Sequence, residues 1–591
     1  MAPSSSRKTA DFKVVNFKVV DFKTEVLRLL KTKNVNADPS VLEIPPTPEM
    51  GDFAFPCFDL AKPFKKAPHL IARDLAEQLK PSAPIEKVAA SGPYLNFFID
   101  KTVMIQQILQ QIHQQNEDYG LHPATQKVVV MEYPSPNTNK PLHLGHVRNI
   151  LIGSSVSHLF KQAGHKVVQV NLNNDRGIHI CKSMLAYQKW GGKELPEDKG
   201  IKSDHFVGKY YVLFSEKLKE YPELEQEAQQ MLVQWEQGDK EVRKVWKLMN
   251  AWAYGGFEDT YEKLGVFFDK YYYESNFYDL AKKIVEQGVK KGVFEKDPDG
   301  SLFIDFANDP DEGLHHLGKK IVLRGDGTSI YITQDLHLAK QKYDDYKFDQ
   351  SVIVTATEQN HHFQILFAIL KKLGYVWADK QHHLSYGMVY LPHGKMKSRE
   401  GTVVDADDLI ENMQDLAKVE IRKRHPDLSE VALQKRAHMI GLGALKFFIL
   451  KVDHQRDIHF NPEESISFEG ETGPYVQYAH ARICSILKKY GKKPLANVNY
   501  RLLKHEDEID LAKLLGRFPE LVLDGAKHYK PSLIAHYLIQ VAQQFSKFYT
   551  NCQVLIDDHA VQEARILLCS CTKFVLANGL KLLGIEAPEE M

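Results

Sequence analysis

VVVMEYPSPNTNKPLHLGHVRNILIG, residues 128–153, is the stretch that decides the fold of this chain. Its apolar start, Val128–Met131, is short and is followed closely by prolines, which predicts a buried strand. Apolar residues then recur at helical spacing from 147 to 163, and Gly164 ends that predicted helix. The next segment, 166–172, again predicts a strand. Strand, loop, helix and strand in this order indicate the parallel βαβ unit of a doubly wound sheet.

The loop between the first strand and the helix lies where such a fold binds its ligands, beyond the carboxyl ends of the strands. It carries Lys140, while His143, Gly145 and His146 stand at the predicted start of the helix. A helix N-terminus favours anions, so we expect a nucleotide triphosphate at this place. Taken alone, His-x-Gly-His is better explained as a helix cap with two surface histidines, and a second segment decides between the two.

That second segment is HGKMKSREG, residues 393–401, a lysine-rich loop after a predicted strand at 388–391. The two segments, in this order and on this fold, resemble the HIGH and KMSKS motifs of class I aminoacyl-tRNA synthetases. Four longer blocks resemble the arginyl-tRNA synthetases: EYPSPNTNKPLHLGHVRNILIG, KLGVFFDKYY, RGDGTSIYITQDLHLA and SFEGETGPYVQYAHARICSIL. The resemblance extends from about Gly51 to Met591.

Pattern and resemblance together predict a Rossmann-like α/β catalytic domain with a doubly wound parallel sheet, an α+β N-terminal domain and an all-α C-terminal bundle. We expect an N-terminal extension at 1–23, an additional tRNA-binding domain at 24–120, the catalytic domain at 121–184 and 301–395, a connective insertion at 185–300, the KMSKS-like loop and stem-contact region at 396–465, and the helical anticodon-binding domain at 466–591. The second half of the sheet is expected to start near Ile321. Within it, Ile330–Thr333 are expected as a short strand, with Asp335 opening the following helix.

Composition sets the remaining limits. The 591 residues carry no net charge, 43% are apolar, and no segment is apolar for the length of a membrane span. Residues 1–10 are not a secretory signal, and the six cysteines include no CxxC pair, so we expect a reducing compartment and no protein-bound zinc. The resemblance implies a cytoplasmic enzyme, and we expect a monomer. A net charge of zero does not exclude nucleic acid, because a local basic patch is enough.

The resemblance implies that the chain forms arginyl-adenylate from arginine and ATP with Mg²⁺, then transfers arginine to tRNA(Arg), with release of AMP and diphosphate and with tRNA needed for activation. His143 and His146 would hold the ATP phosphates, and Gly145 would let adenine approach the backbone. Lys395 would bind near the α-phosphate. Ser398 stands at the second KMSKS lysine position, so Lys140 is expected to take that role, with Lys397 as the competing residue.

The resemblance also assigns an arginine pocket. Asp335 and Glu132, with Tyr331 beside them, would face the guanidinium, because a planar fork of donors is met best by carboxylates. The head group would be held by Ser135, Asn137 and Gln359. The alternatives are a helix N-cap for Asp335 and a surface charge at a strand end for Glu132.

Tyr94 and Asn96, in paired strands predicted at 88–99, could stack on and read a tRNA base, the alternative being that Tyr94 packs internally. The tryptophans of the insertion are expected in its core. Two other functions remain to be separated by experiment, a small-molecule nucleotidyltransferase with the same His-x-Gly-His motif and a tRNA-binding paralogue without catalysis.

Overall fold

The computed structural model describes residues 22–391, 394–395 and 404–591, and for Pro48, Leu391, Gly394 and Lys395 only the backbone is described. Most of the predicted N-terminal extension therefore lies outside the described residues, and its last two residues already belong to the first helix. Lys397 and Ser398 of the KMSKS-like segment also lie outside the described residues.

The N-terminal part of the chain forms a small three-stranded antiparallel sheet with helices packed on it. Its elements are α1 (Phe22–Lys31), β1 (Phe53–Pro56), α2 (Ala61–Phe64), α3 (Pro68–Gln78), β2 (Ile85–Ser91), β3 (Tyr94–Ile99) and α4 (Lys101–Gln115). The strand order is β1-β3-β2, and the pairing of β2 with β3 confirms the predicted turn between paired strands. Asp100 caps α4 by accepting a hydrogen bond from the Val103 N–H, which satisfies one N–H of the first turn.

The middle of the chain builds the central sheet and the elements around it. These are β4 (Val128–Glu132), α5 (Leu144–Gln162), β5 (Lys166–Asn173), α6 (Ile178–Trp190), α7 (Pro196–Lys199), α8 (Ser203–Lys217), α9 (Leu224–Glu236), α10 (Lys240–Lys263), β6 (Lys270–Tyr273), α11 (Tyr278–Lys290), β7 (Glu295–Lys296), β8 (Leu302–Asp305), β9 (Lys319–Leu323), α12 (Tyr331–Tyr346), β10 (Gln350–Ala356), α13 (Asn360–Lys372), β11 (Gln381–Tyr386), β12 (Val389–Leu391), β13 (Gly394–Lys395) and α14 (Ala406–Arg424). The five-stranded sheet has the order β11-β10-β4-β5-β6, and every neighbouring pair is parallel. This confirms the predicted βαβ unit and the doubly wound fold class.

Two predictions about this region are wrong. The fifth strand, β6, lies inside the stretch predicted as an insertion, and it pairs with β5 in the central sheet. It has only four residues, which is too short for hydrophobic periodicity to reveal it. Moreover, β7, β8 and β9 form a separate antiparallel sheet, so the central sheet does not resume near Ile321.

The segment Ile330–Thr333 was predicted as a strand, but α12 already starts at Tyr331. β-Branched residues favour strands, and the segment was predicted as a strand because three of its four residues are β-branched. The structure uses one of them differently, because the Thr333 hydroxyl accepts a hydrogen bond from the Ile330 N–H at 3.2 Å and so closes the first turn of the helix.

The C-terminal part is helical, as predicted. Its elements are α15 (Glu430–Lys451), β14 (Ile458–His459), α16 (Pro462–Ser465), α17 (Gly473–Tyr490), α18 (Glu506–Gly516), α19 (Phe518–His528), α20 (Pro531–Asn551) and α21 (His559–Leu582). Apolar residues recur at helical spacing along α20 and face the core, where Ile534, Leu538 and Phe548 are fully buried. Strands β13, β12 and β14 form a further small sheet in that order.

Three apolar cores hold these parts together. The largest is shared by the N-terminal domain, α5 and the C-terminal helices. A second core lies on the other face of the central sheet, and successive residues of β4, Val129 and Val130, belong to opposite cores, as the two-residue period of a strand requires. The third core lies mainly within the insertion; Trp235 belongs to it, and Trp246 and Trp252 pack against it. Trp190 is exposed, so the expectation that the tryptophans of the insertion lie in its core is wrong for this one. No helix among the described residues is both long and apolar enough to cross a membrane.

Candidate active site

The first turn of α5 carries the two histidines of the predicted phosphate site. His143 is the N-cap of the helix, and its Nδ1 accepts a hydrogen bond from the Gly145 N–H at 3.1 Å. The His146 Nδ1 in turn accepts a hydrogen bond from the His143 N–H at 3.2 Å. Because both Nδ1 atoms are acceptors, the proton of each neutral ring must be on Nε2. The two rings, whose centroids are 3.9 Å apart, therefore each offer an Nε2–H donor to a ligand.

These imidazoles are uncharged at neutral pH. Burial, with a smaller contribution from the positive charge of Lys140, lowers the pKa of His143 to about 4. Burial likewise holds the pKa of His146 well below its ordinary value, and it lowers the pKa of Lys140. The site therefore presents neutral donors and one lysine near a helix N-terminus, an arrangement that suits a polyanion.

Gly145 is required by the ring of His143. A Cβ atom at this position would lie 2.9 Å from the His143 Cε1, closer than the two groups can approach. The glycine therefore lets the capping imidazole fold back over the helix start. The expectation that it also admits adenine stays a prediction.

Asp335, the predicted guanidinium partner, is the fifth residue of α12, and its carboxylate is partly exposed. The N-cap of α12 is Ile330, so the alternative that Asp335 caps the helix is wrong. The His362 Nε2–H donates a hydrogen bond to the Asp335 Oδ2 at 2.6 Å, which fixes the carboxylate. Tyr331 stands one turn earlier on the same helix and is 67% exposed.

Glu132 is the last residue of β4, and it is buried rather than a surface charge, so that alternative is also wrong. Its Oε2 accepts a hydrogen bond from the Nζ of Lys342, a lysine of α12 that is 1% exposed. A buried charge is tolerated when it is paired and hydrogen-bonded. In this structure the charge of Glu132 is thus compensated from within the protein.

The three residues predicted for the amino-acid head group lie at the carboxyl ends of two adjacent strands. Ser135 and Asn137 follow β4, and Gln359 follows β10, the neighbour of β4 in the sheet. Ser135 adopts a positive φ of 55°, and its carbonyl accepts a hydrogen bond from the Asn174 side chain at 2.9 Å. Asn137 and Gln359 are exposed and Ser135 is partly exposed, and all three lie at the edge where this fold binds a ligand.

One acidic residue of this region was missed at the level of the sequence. Glu274 directly follows β6 and is 4% exposed. Burial, and then the negative charges of Asp175 and Asp335, raise its pKa to about 8 against the lowering effect of Arg176, so this acid is mostly uncharged at neutral pH. The Arg176 guanidinium lies 3.6 Å from its carboxylate. Its place after a strand of the central sheet would have indicated a site residue, but β6 itself was not predicted.

The backbone of Lys395 lies in β13 opposite Tyr390 of β12, while its side chain, and all of Lys397, lie outside what the structure describes. The chain returns to the site just beyond that stretch. The Leu144 N–H donates to the Val404 carbonyl, and the Ala406 N–H donates to the Leu142 carbonyl, both at 3.0 Å. The start of α14 is thereby joined to the start of α5.

The two residues predicted to contact tRNA differ in accessibility. Tyr94 is partly buried, with its ring edge-on to Phe58 at 5.8 Å between centroids. Asn96 is 5% exposed, and its amide oxygen has no hydrogen-bond partner among the described residues. A base cannot reach a side chain buried in the sheet, so the prediction for Asn96 is not supported by this conformation.

A group of ionisable residues links the insertion to α14. Among the described residues, Asp204, His205 and Asp407 are the one group close enough to share a metal ion. Asp407, however, already accepts hydrogen bonds from Lys202 at 2.6 Å and from Lys263 at 2.7 Å. Because two ammonium groups compensate these carboxylates, the cluster is better described as an ion-pair network than as a metal site.

Comparisons with known proteins agree with this geometry. Residues 105–461 match the family described as tRNA synthetases class I (R), catalytic domain; residues 476–591 match the DALR anticodon binding domain, and residues 21–99 match the arginyl tRNA synthetase N terminal domain. An arginine–tRNA ligase of Treponema denticola is 46% identical over 93% of this chain and 94% of its own length. One of Bacteroides thetaiotaomicron is 44% identical over 92% and 94%. The solved arginyl-tRNA synthetase of Thermus thermophilus superposes with a TM-score of 0.80 at 26% identity, covering 97% of this chain and 100% of its own.

The parallel sheet, the paired histidines at a helix start and these matches define a class I aminoacyl-tRNA synthetase. Within that class, the chain belongs to the arginyl-tRNA synthetase family.

The buried neutral histidines make stability depend on pH. His143 and His158 both have a pKa lowered by burial to about 4, whereas the unfolded value is about 6.5. Between these values the unfolded chain binds more protons, so stability falls as the pH decreases from about 6.5 toward 4, by about 1.4 kcal/mol per pH unit for each histidine.

We expect urea unfolding to give a lower free energy of unfolding at pH 5 than at pH 7. In His158→Gln that difference should shrink by about 2 kcal/mol, and an unchanged difference would refute the assignment.

Proposed function

We propose that this chain activates L-arginine with ATP to form arginyl-adenylate and then transfers arginine to tRNA(Arg), releasing AMP and diphosphate. The observation that carries the proposal is the pairing of two Nε2–H donors at the start of α5 with the carboxylate of Asp335 at the same edge of one parallel sheet. The first group suits a polyphosphate and the second suits a cation. The names of the relatives support the same reaction.

The activation step joins two anions, because the carboxylate of arginine attacks the α-phosphate of the ATP·Mg²⁺ substrate. Charge builds on the phosphate oxygens, so positioned donors accelerate the step more than an acid or a base would. His143 and His146 supply such donors without changing protonation. We further propose that Lys140 replaces the second KMSKS lysine, because it lies in the loop between β4 and α5, with Lys397 as its competitor. Lys395 would act on the same phosphate.

Recognition of arginine would rest on fixed negative charge, because a guanidinium does not lose its proton in a protein. The His362 hydrogen bond holds Asp335 in one orientation. We propose Asp335 and Glu132 as guanidinium partners, with Tyr331 beside them. Ser135, Asn137 and Gln359 would hold the head group.

The C-terminal domain offers a surface for single-stranded RNA. A groove between α14, α17 and α20 is lined by arginine and tyrosine side chains. The Arg482 guanidinium lies over the Tyr478 and Tyr549 rings at 4.7 and 5.4 Å, and Arg424 lies over Phe468 at 4.3 Å. Unstacked bases bind on such aromatic and guanidinium planes. We propose that this groove takes the anticodon loop.

The proposal includes a cytoplasmic, monomeric enzyme with tRNA(Arg), arginine and ATP as its partners. The cysteines support a reducing compartment, since all six are free and five of them are buried.

The function is tested by aminoacylation of tRNA with each amino acid in turn. We expect charging with arginine alone, and a loss of about 100-fold or more in adenylate formation in His146→Asn. The asparagine of this variant can still accept the His143 N–H through its amide oxygen, but it lacks the Nε2–H donor. Charging with no amino acid would favour the non-catalytic paralogue, and nucleotidyl transfer without tRNA charging would favour the small-molecule enzyme. Near-normal adenylate formation in His146→Asn would refute the role of this donor.

Asp335→Asn keeps the shape of the side chain and an acceptor for His362 but removes the charge. Breaking a buried charge pair costs roughly 2–5 kcal/mol, so the Michaelis constant for arginine should rise about 30-fold or more, with ATP affinity retained. Citrulline, the neutral isostere, should lose much less. Asp344→Asn, an exposed change on the same helix, is the matched control and should leave the constant unchanged. If arginine affinity survives in Asp335→Asn, Glu132 is the main partner.

Arg482→Ala removes the guanidinium that lies over two tyrosines of the groove. Base stacking is worth roughly 1–3 kcal/mol, so the dissociation constant for tRNA(Arg) should rise about 5- to 100-fold in an equilibrium binding assay, while arginine binding is kept. Arg501→Ala removes an exposed arginine of the same domain and serves as the control. Equal effects of the two changes would show that only general charge is involved.

A further inference from the structure

Arg148 lies two residues beyond His146 on α5 and is 0% exposed. Its Nη1 donates hydrogen bonds to the carbonyls of Gly387 and Met388 at 2.6 and 3.0 Å. Its Nη2 donates to the carbonyls of His454 and Arg456 at 3.2 and 2.6 Å. One guanidinium on the helix of the phosphate site thus joins two backbone segments that lie 239 to 308 residues further along the chain.

The two segments lead directly into the small sheet that carries Lys395. Gly387 and Met388 precede β12, and His454 and Arg456 precede β14, which pairs with β12 in parallel. On its other edge, β12 pairs with β13 through Tyr390 and Lys395. Arg148 therefore holds the strand next to Lys395 at a fixed place relative to the first turn of α5.

Further contacts hold the two backbone segments close to each other. The Gly387 N–H donates to the His454 carbonyl at 2.9 Å, which ties the two segments to each other. A Cβ atom on Gly387 would lie 2.6 Å from the Arg456 backbone. The Met388 N–H donates to the Asp457 Oδ1 at 2.6 Å from the outer side.

An apolar side chain at this position would leave the Gly387 and Arg456 carbonyls without the guanidinium donors. All four acceptors are neutral carbonyls, and the Nε atom has no hydrogen-bond partner among the described residues. Burial lowers the pKa of Arg148 to about 10, which reflects the cost of removing this cation from water. What an apolar residue cannot supply is direction, because the planar fork of arginine fixes the orientation of what it binds.

We infer that Arg148 is a positioning residue for adenylate formation, which sets the place of Lys395 relative to His143 and His146. This inference rests on the proposed function. Donors on both sides of the α-phosphate act together only at the correct spacing, and a displacement of about 1 Å can cost about 100-fold in rate. Lysine at position 148 keeps the charge but not the fork, so it cannot hold two segments in one orientation.

The test measures ATP–pyrophosphate exchange in the presence of tRNA, together with the dissociation constants of arginine and tRNA. We expect Arg148→Lys to lower the exchange rate by about 10- to 100-fold with both dissociation constants within about twofold of the original. Arg565→Lys is the matched control, because Arg565 also donates to a carbonyl and a carboxylate in the C-terminal bundle, and it should leave exchange unchanged. Exchange by the unaltered protein in the same assay reports on the proposed function separately.

A double-mutant cycle separates positioning from general destabilisation. If Arg148 acts through Lys395, Lys395→Ala should cost at least about fivefold less in the Arg148→Lys background than in the original protein. Losses that simply multiply, or an exchange rate within about twofold of the original in folded Arg148→Lys, would overturn the inference.

If Arg148→Lys does not fold, Asp457→Ala provides the second variant, since it frees the Met388 N–H of the same segment from the outer side. We expect a smaller loss of exchange that is again less than multiplicative with Lys395→Ala. A multiplicative loss in this cycle would overturn the inference as well.

Discussion

The first turn of an α-helix leaves backbone N–H groups without helical acceptors, and in α5 two imidazole nitrogens accept hydrogen bonds at this point. This interaction fixes three properties at once. It sets the rotation of both rings, it places the proton of each ring on Nε2, and it requires glycine at position 145, where the His143 ring lies against the backbone. The donors of the phosphate site are therefore oriented by the same bonds that start the helix.

At the edge of the sheet, the donors of the phosphate site lie apart from the acidic residues. Lys140 lies between β4 and α5, and His143 and His146 lie at the start of α5, whereas Glu274 follows β6 and Asp335 lies on α12, which leads into β10. Uncharged imidazoles do not repel a cationic substrate that must approach the same phosphate, and the carboxylates stand away from the polyanion. His362 holds Asp335 from α13, and Lys342 compensates Glu132 from α12. The edge thus keeps opposite charges at separate places, which a reaction between ATP and a cationic amino acid requires.

How much of this the sequence could predict depends on how local each signal is. β4, α5 and β10 were predictable because apolar or periodic runs mark them, and the role of the histidines was predictable only because a second motif and the family resemblance accompany them. β6 has only four residues, so its pairing with β5 defines it, and Glu274 was missed with it. Ile330–Thr333 show the opposite error, in which strand-forming residues are used in a helix turn. The pairing of Glu132 with Lys342 joins residues 210 positions apart, and the burial of Asn96 depends on a tertiary sheet. Neither has any local signature.

The position of α5 likewise depends on contacts between residues that are far apart in the chain. Fourteen of its residues are buried, and the helix lacks a single apolar face, so hydrophobic contact surrounds it without choosing one rotation. Packing of apolar groups of the right size gives a fold, but unique placement comes from directional contacts. On α5 these are made by Arg148 to the segments before β12 and β14, by Asn149 to the Val354 carbonyl of β10 at 2.7 Å, and by Ser155 to the Leu582 carbonyl of α21 at 2.8 Å. The nearest of these partners along the chain, Val354, is 205 residues away from Asn149. The orientation of the first turn, and with it the direction of both Nε2–H donors, is therefore set by the assembled tertiary structure, although the residues that carry the chemistry are neighbours in one short motif.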